Sequence, residues 1–222
     1  MNLATLPDTP LYSLLLTAVE ALATIAFALS GLLEAARKRL DAVGVCVVAG
    51  LTAFGGGTLR DVLLDRRPFF WVEHATWLWA LLALCVAAMF VLHARHHEPT
   101  ERAMQWPDAL GLGLFSASGT QLALAQDMPA IVAVLMGVVT AAFGGVLRDI
   151  VVNEIPRAFK DRQPYAVCAF VGGWVVVAMQ ALGLDNGWSL LAGAAAGTGL
   201  RALAMLSGYR LPRGRAGAEP PA

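Results

Sequence analysis

The chain repeats itself at a constant offset of 88 residues. The stretch Thr52–Asp61, in which three glycines precede an Arg-Asp pair, returns as Thr140–Asp149, which keeps two of the glycines and the Arg-Asp pair. The same offset carries other positions onto one another: Glu20 onto Asp108, Phe27 onto Phe115, Ser30-Gly31 onto Ser118-Gly119, and Pro68 onto Pro156. An ungapped offset shared by separate motifs indicates an internal duplication, so the chain must fold as two copies of one unit.

The copies are too apolar for a soluble domain. Hydrophobic residues make up 58% of the chain and charged residues 14%, and the mean hydropathy is +0.64. Seven apolar segments are each long enough to cross ~30 Å of hydrocarbon; they cover residues 11–36, 42–64, 75–93, 108–125, 129–152, 164–184 and 188–206. We therefore predict an all-α integral membrane protein with seven transmembrane helices, with membrane lipids as partners and no nucleic acid.

Each copy holds three of these segments, which is an odd number. The second copy must then enter the membrane from the opposite side, which gives inverted repeats. This predicts a first repeat over residues 11–93, a second, inverted repeat over 108–184 and a seventh helix over 188–206. Residues 207–222 are rich in Pro, Gly and Arg and are expected to form a disordered cytoplasmic tail.

The lysines and arginines of the connections predict the orientation. The connections after the first, third and fifth segments and the tail carry eleven Lys and Arg residues, whereas the other connections and the N-terminal leader carry Arg66 and Arg67 alone. Positively charged connections stay in the cytoplasm. We expect a multi-pass protein of the cell inner membrane with its N-terminus outside and its C-terminus in the cytoplasm. The leader has no basic residue before Leu11, so no cleavable signal peptide is expected.

Glycine clusters lie within the second and fifth predicted helices, at Gly55, Gly56 and Gly57 and at Gly144 and Gly145. Each glycine costs a helix roughly 1 kcal/mol relative to alanine. One interpretation is a broken helix whose freed backbone groups line a passage. The alternative is close packing of two helices. The recurrence of the cluster beside a charged pair favours the break, near mid-membrane.

The charged pairs that follow are Arg60-Asp61 and Arg148-Asp149. A charge within the membrane costs ~2.5–3.5 kcal/mol on insertion scales, so such residues face a bundle interior or a cavity. Neighbouring residues on a helix point about 100° apart, so each arginine is expected to pair with another helix rather than with its own aspartate. The alternative is a capping aspartate and an arginine that reaches the headgroups.

Two further acids are weaker candidates for the charged pore. Glu20 lies well inside the first segment, whereas Asp108 follows Trp106-Pro107 and could simply cap the fourth helix. Glu34 and Arg201 lie near helix ends and are expected to reach the headgroups.

No enzyme signature is present. The chain lacks a Gly-x-Ser-x-Gly elbow, a phosphate loop and a His-Glu-x-x-His motif, so we expect no enzyme activity and no cofactor. His93, His96 and His97 cluster at the end of the third segment, but an exposed loop without further ligands is a poor metal site. Cys46, Cys85 and Cys168 are expected to be free thiols in apolar helices.

The paired Gly-Gly-x-Leu-Arg-Asp motifs resemble the bacterial branch of the trimeric intracellular cation (TRIC) channel family, and the half-repeat resembles the domain named after bacterial glycine transport. The resemblance covers residues 11–206. It implies a homotrimer with a separate pore in each protomer, lined by kinked second and fifth helices at Gly55–Gly57 and Gly144–Gly145. The chain departs from an even pattern because Phe143 stands where the first copy has Gly55.

Two transport functions remain open on the residues alone. Freed carbonyl groups with Asp61, Asp149 and Glu20 suit a monovalent cation such as K⁺ or Na⁺. The arginines and half-helix N-termini suit the carboxylate of a small zwitterion such as glycine. A membrane subunit without transport activity is a third alternative. The resemblance favours the cation channel over the carrier.

Overall fold

The computed structural model describes residues 10–95, 100–160 and 164–209, and within these residues every regular element is a helix. The all-α fold is therefore confirmed. In chain order the helices are α1 (Pro10–Arg37), α2 (Ala42–Leu63), α3 (Phe70–Glu73), α4 (Thr76–Arg95), α5 (Glu101–Leu124), α6 (Ala130–Val151), α7 (Arg157–Lys160), α8 (Ala166–Ala181) and α9 (Asn186–Ser207).

Four of the described helices, α1, α2, α6 and α9, are both long and apolar enough to cross a membrane. Shorter apolar stretches lie in α4, over Thr76–Phe90, and in α8. Large apolar side chains point outward around the molecule; Trp79, Phe90 and Phe159 are each more than 70% exposed. Such outward apolar surface is what a lipid environment requires of a helix bundle.

Helix α5 begins seven residues before the predicted fourth segment. Thr100 caps it, because its hydroxyl oxygen accepts a hydrogen bond from the Ala103 amide at 3.3 Å. Pro107 lies inside the helix rather than at its start, so the expectation that Asp108 caps this helix is wrong. The first turns of α5 are polar, so a prediction based on the length of the apolar segment places the start of this helix too late.

Two single-turn helices, α3 and α7, were not predicted, and both follow the repeated proline. The first amide of α3, that of Phe70, donates to Asp61, and the first amide of α7, that of Arg157, donates to Asp149, each at 2.9 Å. Each aspartate thus fixes the connection that follows its own helix. It does so from the last turn of α2 or α6.

Helices α2 and α6 cross at their glycines and run antiparallel. A Cβ added at Gly56 would overlap the carbonyl oxygen of Thr140, and one added at Gly144 would overlap that of Thr52. Gly56 and Gly144 are repeat-related, and so are Thr52 and Thr140, whose carbonyl groups they meet. Both helices continue without interruption through their glycines. The predicted breaks are therefore wrong, and the glycines allow two intact helices to touch.

Helix α5 lies at the centre of the bundle and packs against α1, α6, α8 and α9. The rings of Phe27 on α1 and Phe115 on α5, which are repeat-related, stack with their centroids 5.5 Å apart. Small residues let α9 approach closely: a Cβ at Gly113 would meet the backbone of α9, and one at Gly193 would lie 2.9 Å from the Gly172 carbonyl oxygen. Helix α9 therefore packs against the second copy within the protomer.

The three cysteines are free, and Cys85 and Cys168 are buried. The side chain of His93, the residues His96 and His97, and the tail from residue 210 onward lie outside the described residues. The described part of the chain contains no group of His, Cys, Asp and Glu side chains that could hold a metal ion.

Candidate functional site: two buried arginine clusters

The end of α2 places Arg60 at the centre of a buried charge cluster. Its guanidinium group donates from Nη1 to Glu20 Oε1 at 2.5 Å and from Nε to Asp61 Oδ1 at 2.9 Å. Arg60 is fully buried, and both carboxylates are less than a tenth exposed. Arg66 lies at the edge, with Nη1 3.7 Å from Asp61 Oδ1. We refer to Glu20, Arg60 and Asp61 as the Arg60 cluster.

The end of α6 builds the same arrangement 88 residues later. Arg148 donates from Nη1 to Asp108 Oδ1 at 2.6 Å and from Nε to Asp149 Oδ1 at 2.9 Å. Arg148 Nη1 also donates to the hydroxyl oxygen of Ser30 at 2.7 Å. Arg148 is 2% exposed. We refer to Asp108, Arg148 and Asp149 as the Arg148 cluster.

Each arginine thus has a partner on another helix, as predicted, but the expectation that it would not pair with its own aspartate is wrong. The 100° rule concerns Cβ directions, whereas the long arginine side chain bends back so that Nε meets the neighbouring carboxylate. The arginines are buried and do not reach the headgroups. Asp108 acts as an ionic partner inside α5.

The formal charge of each cluster is −1, because one guanidinium group faces two carboxylates. Burying such groups costs several kcal/mol for each ion unless their partners are well placed. Within each cluster the arginine thus offsets one of the two carboxylate charges.

The two clusters have different neighbours. A small cavity of about 10 Å³ adjoins the Arg148 cluster and is lined by polar side chains that include Gln105, Arg157, Tyr165 and Arg201. A volume of this size holds about one water molecule. At the Arg60 cluster the ring of Phe70 covers the guanidinium group, with Arg60 Cζ 5.4 Å from the ring centroid.

An ionic network that the sequence reasoning missed lies beside the Arg148 cluster. Glu34 is 1% exposed and pairs with Arg37 at 2.6 Å and with Arg157 at 3.4 Å. Arg157 also lies 3.6 Å from Glu101, on α5. The expectation that Glu34 and Arg201 reach the headgroups is wrong, since Arg201 is 4% exposed. A carboxylate in an apolar helix without a repeat-related partner was the one available signal for Glu34.

A larger, apolar groove of about 400 Å³ lies on the outer side of α2, between α4 and α6. Gly55 and Phe143, which both line it, are one of the repeat-related pairs at which the two copies differ.

The family model described as "Glycine transporter" matches residues 17–95 and again residues 105–181. Two matches to one model, covering most of the chain, decide the question of family. The chain belongs to this glycine transporter family. The TRIC channel resemblance is also confirmed by solved structures and curated relatives.

A crystal structure of the TRIC trimeric intracellular cation channel orthologue from Rhodobacter sphaeroides matches with a TM-score of 0.80 and 35% identity, over 87% of this chain and 98% of that one. The UPF0126 membrane protein of Vibrio cholerae is 34% identical over 190 residues, which are 84% of this chain and 77% of that protein. The UPF0126 inner membrane protein YadS of Escherichia coli K12 is 35% identical over 161 residues, 71% and 75% of the two chains.

The chain is therefore a multi-pass membrane protein with the TRIC channel fold, and the solved relatives are transport proteins rather than enzymes. The family's duplicated unit covers both buried arginine clusters, one in each matched stretch.

Proposed function

We propose that the chain is a homotrimeric channel for monovalent cations such as K⁺ and Na⁺, with one passage in each protomer. Seven helices, α1, α2, α4, α5, α6, α8 and α9, cross the inner membrane as two inverted three-helix repeats and a seventh helix. The antiparallel crossing of α2 and α6 supports the inversion, because repeat-related helices of inverted repeats run in opposite directions. The N-terminus lies outside and the C-terminus in the cytoplasm.

The observation that carries the proposal is the pair of buried clusters. Each lies at the C-terminal end of its own helix, α2 or α6, and because these helices run antiparallel the clusters lie at opposite ends of the bundle. Glu20 of one cluster and Ser30, which contacts the other, are ten residues apart on α1. At a rise of 1.5 Å per residue they are about 15 Å apart along the helix axis. Two acid-rich sites at this spacing provide two weak binding sites for a cation, one near each end of a passage through the protomer.

The contact of α2 with α6 at Gly56 and Gly144 leaves no space between these helices, which supports a closed resting state of the proposed passage. We propose that the glycine faces of these helices line the passage when they separate. The glycines matter for permeation because they have no side chains that interlock, so the two intact helices can slide or separate.

A carrier for a small amino acid such as glycine is the second candidate. The description of the family model favours it, and the guanidinium groups of Arg148, Arg157 and Arg201 around one small cavity suit a carboxylate. A carrier binds its solute in one saturable step and passes no unitary current.

Reconstitution into liposomes tests the two functions together, with K⁺ flux and glycine uptake measured on the same preparation. We expect K⁺ flux that is linear with the driving force and no concentrative glycine uptake. Saturable glycine uptake without K⁺ flux would replace the channel with the carrier.

A further inference from the structure

The repeat-related residues Gly57 and Gly145 face unlike surroundings. A Cβ at Gly57 would lie 2.8 Å from Phe70 Cζ and 3.0 Å from Phe70 Cδ1, so this glycine makes room for a phenyl ring. A Cβ at Gly145 would lie 3.2 Å from the Tyr165 hydroxyl oxygen and 3.6 Å from Asp108 Oδ1. The same position in the motif is therefore filled by an apolar ring at one end and opens on polar groups at the other.

Several contacts hold the Phe70 ring in place. Phe70 is 3% exposed, and its ring packs between Phe54, at a centroid distance of 6.0 Å, and Trp77, at 5.7 Å. Its backbone amide donates to Asp61 Oδ2 at 2.9 Å. The carboxylate that pairs with Arg60 thus also positions the ring that covers Arg60.

At the Arg148 end the residue that is repeat-related to Phe70 is Ala158, which carries no ring. There α7 begins with Arg157, whose amide takes the place of the Phe70 amide on the aspartate while its side chain turns to Glu34 and Glu101. The cavity of about 10 Å³ beside Arg148 has the size and the polar lining that a water molecule needs. The Arg60 end is therefore covered by an apolar ring, whereas the Arg148 end borders a small cavity with a polar lining.

We propose that the ring of Phe70 is a hydrophobic plug that closes the Arg60 end of the passage. An apolar constriction excludes water and with it a hydrated ion, so the ring must leave Arg60 before a cation reaches that cluster. The Arg148 end remains hydrated while the plug is in place. This inference rests on the proposed cation channel and adds a barrier at the Arg60 end to the contact between α2 and α6 at Gly56 and Gly144.

The test compares Phe70→Ala with Phe69→Ala in K⁺ flux into liposomes, normalised to the amount of assembled protein. Phe69 is the matched control because it is the neighbouring phenylalanine, and its ring stacks on Trp71 and lies against Arg67 rather than over Arg60. Removal of the plug favours the open state, so we expect Phe70→Ala to raise K⁺ flux roughly tenfold or more. Phe69→Ala should match the wild type. Chloride flux should stay at the wild-type level, because a leak through damaged protein would carry both ions.

K⁺ flux in Phe70→Ala no higher than in Phe69→Ala would overturn the plug and leave the channel standing. No K⁺ flux in the wild type and in both variants would overturn the proposed channel, and the plug with it. If Phe70→Ala does not assemble, Phe70→Leu decides: its smaller apolar side chain should raise K⁺ flux by a lesser factor, and wild-type flux would contradict the proposal.

Discussion

Arg60 and Arg148 are the side chains on which the stability of the buried clusters depends. Each arginine supplies the ionic contacts of two buried carboxylates, which water would supply if they were exposed. Removal of one partner of a buried ion pair costs about 3–5 kcal/mol, because it leaves an uncompensated charge.

We therefore expect Arg60→Ala and Arg148→Ala each to lower the thermal melting temperature of the detergent-purified protein strongly. Arg66→Ala is the control, because the Arg66 side chain is 34% exposed and its nearest contact to Asp61 is 3.7 Å. An exposed pair contributes at most about 1 kcal/mol. Equal, small shifts in all three variants would show that the clusters are solvated.

The repeat-related serines give a second comparison at this scale. Ser30 accepts a hydrogen bond from Arg148, whereas the buried hydroxyl group of Ser118 has no hydrogen-bond partner among the described residues. A hydrogen bond to a charged group contributes about 1.5–3 kcal/mol. Ser30→Ala should therefore destabilise the protein measurably in thermal melting, and Ser118→Ala should be neutral or stabilising. The reverse order would contradict the asymmetry of the two clusters.

At the scale of the helices, the crossing of α2 and α6 has no room for a side chain at Gly56 or Gly144. Overpacking costs about 1–3 kcal/mol, and here the obstacle is backbone, which cannot rotate away. Gly56→Ala and Gly144→Ala should therefore lower the melting temperature.

Gly199→Ala is the matched control for these glycine variants, because a Cβ at this position of α9 meets nothing within 4 Å. It should leave the melting temperature unchanged or raise it slightly. Tolerance of alanine at Gly56 and Gly144 would mean that the two helices are farther apart than the structure places them.

The sequence predicts most of the long helices to within a few residues, because the length of each apolar segment can be counted directly from its residues. It could not predict the α2–α6 contact. A glycine cluster destabilises an isolated helix, but contact with Thr52 and Thr140 of the opposite helix overrides that preference. The breaks were inferred from local propensity, and the tertiary contact decided otherwise.

The sequence predicts which charged residues belong to the site, but not the other groups that surround them. A repeated charge in an apolar segment was sufficient to select Arg60 and Arg148 with their acids. The covering ring of Phe70 and the cavity beside Tyr165 depend on connections folding back onto α2 and α6, and no periodic pattern encodes that return.

For the whole molecule, the distribution of Lys and Arg predicts that the C-terminus lies in the cytoplasm. A fluorescent protein that matures only in the cytoplasm should be active when fused after Ala222, and alkaline phosphatase at the same place should be inactive. The opposite pattern would reverse the proposed orientation of the chain in the membrane.

The central claim is that cations cross the protomer between two sites of net negative charge. The reversal potential in a planar bilayer with a KCl gradient tests it most directly. A cation-selective passage predicts unitary currents that reverse near the equilibrium potential of K⁺. Reversal near the equilibrium potential of Cl⁻, or the absence of unitary currents from protein that is shown to be assembled, would contradict the account.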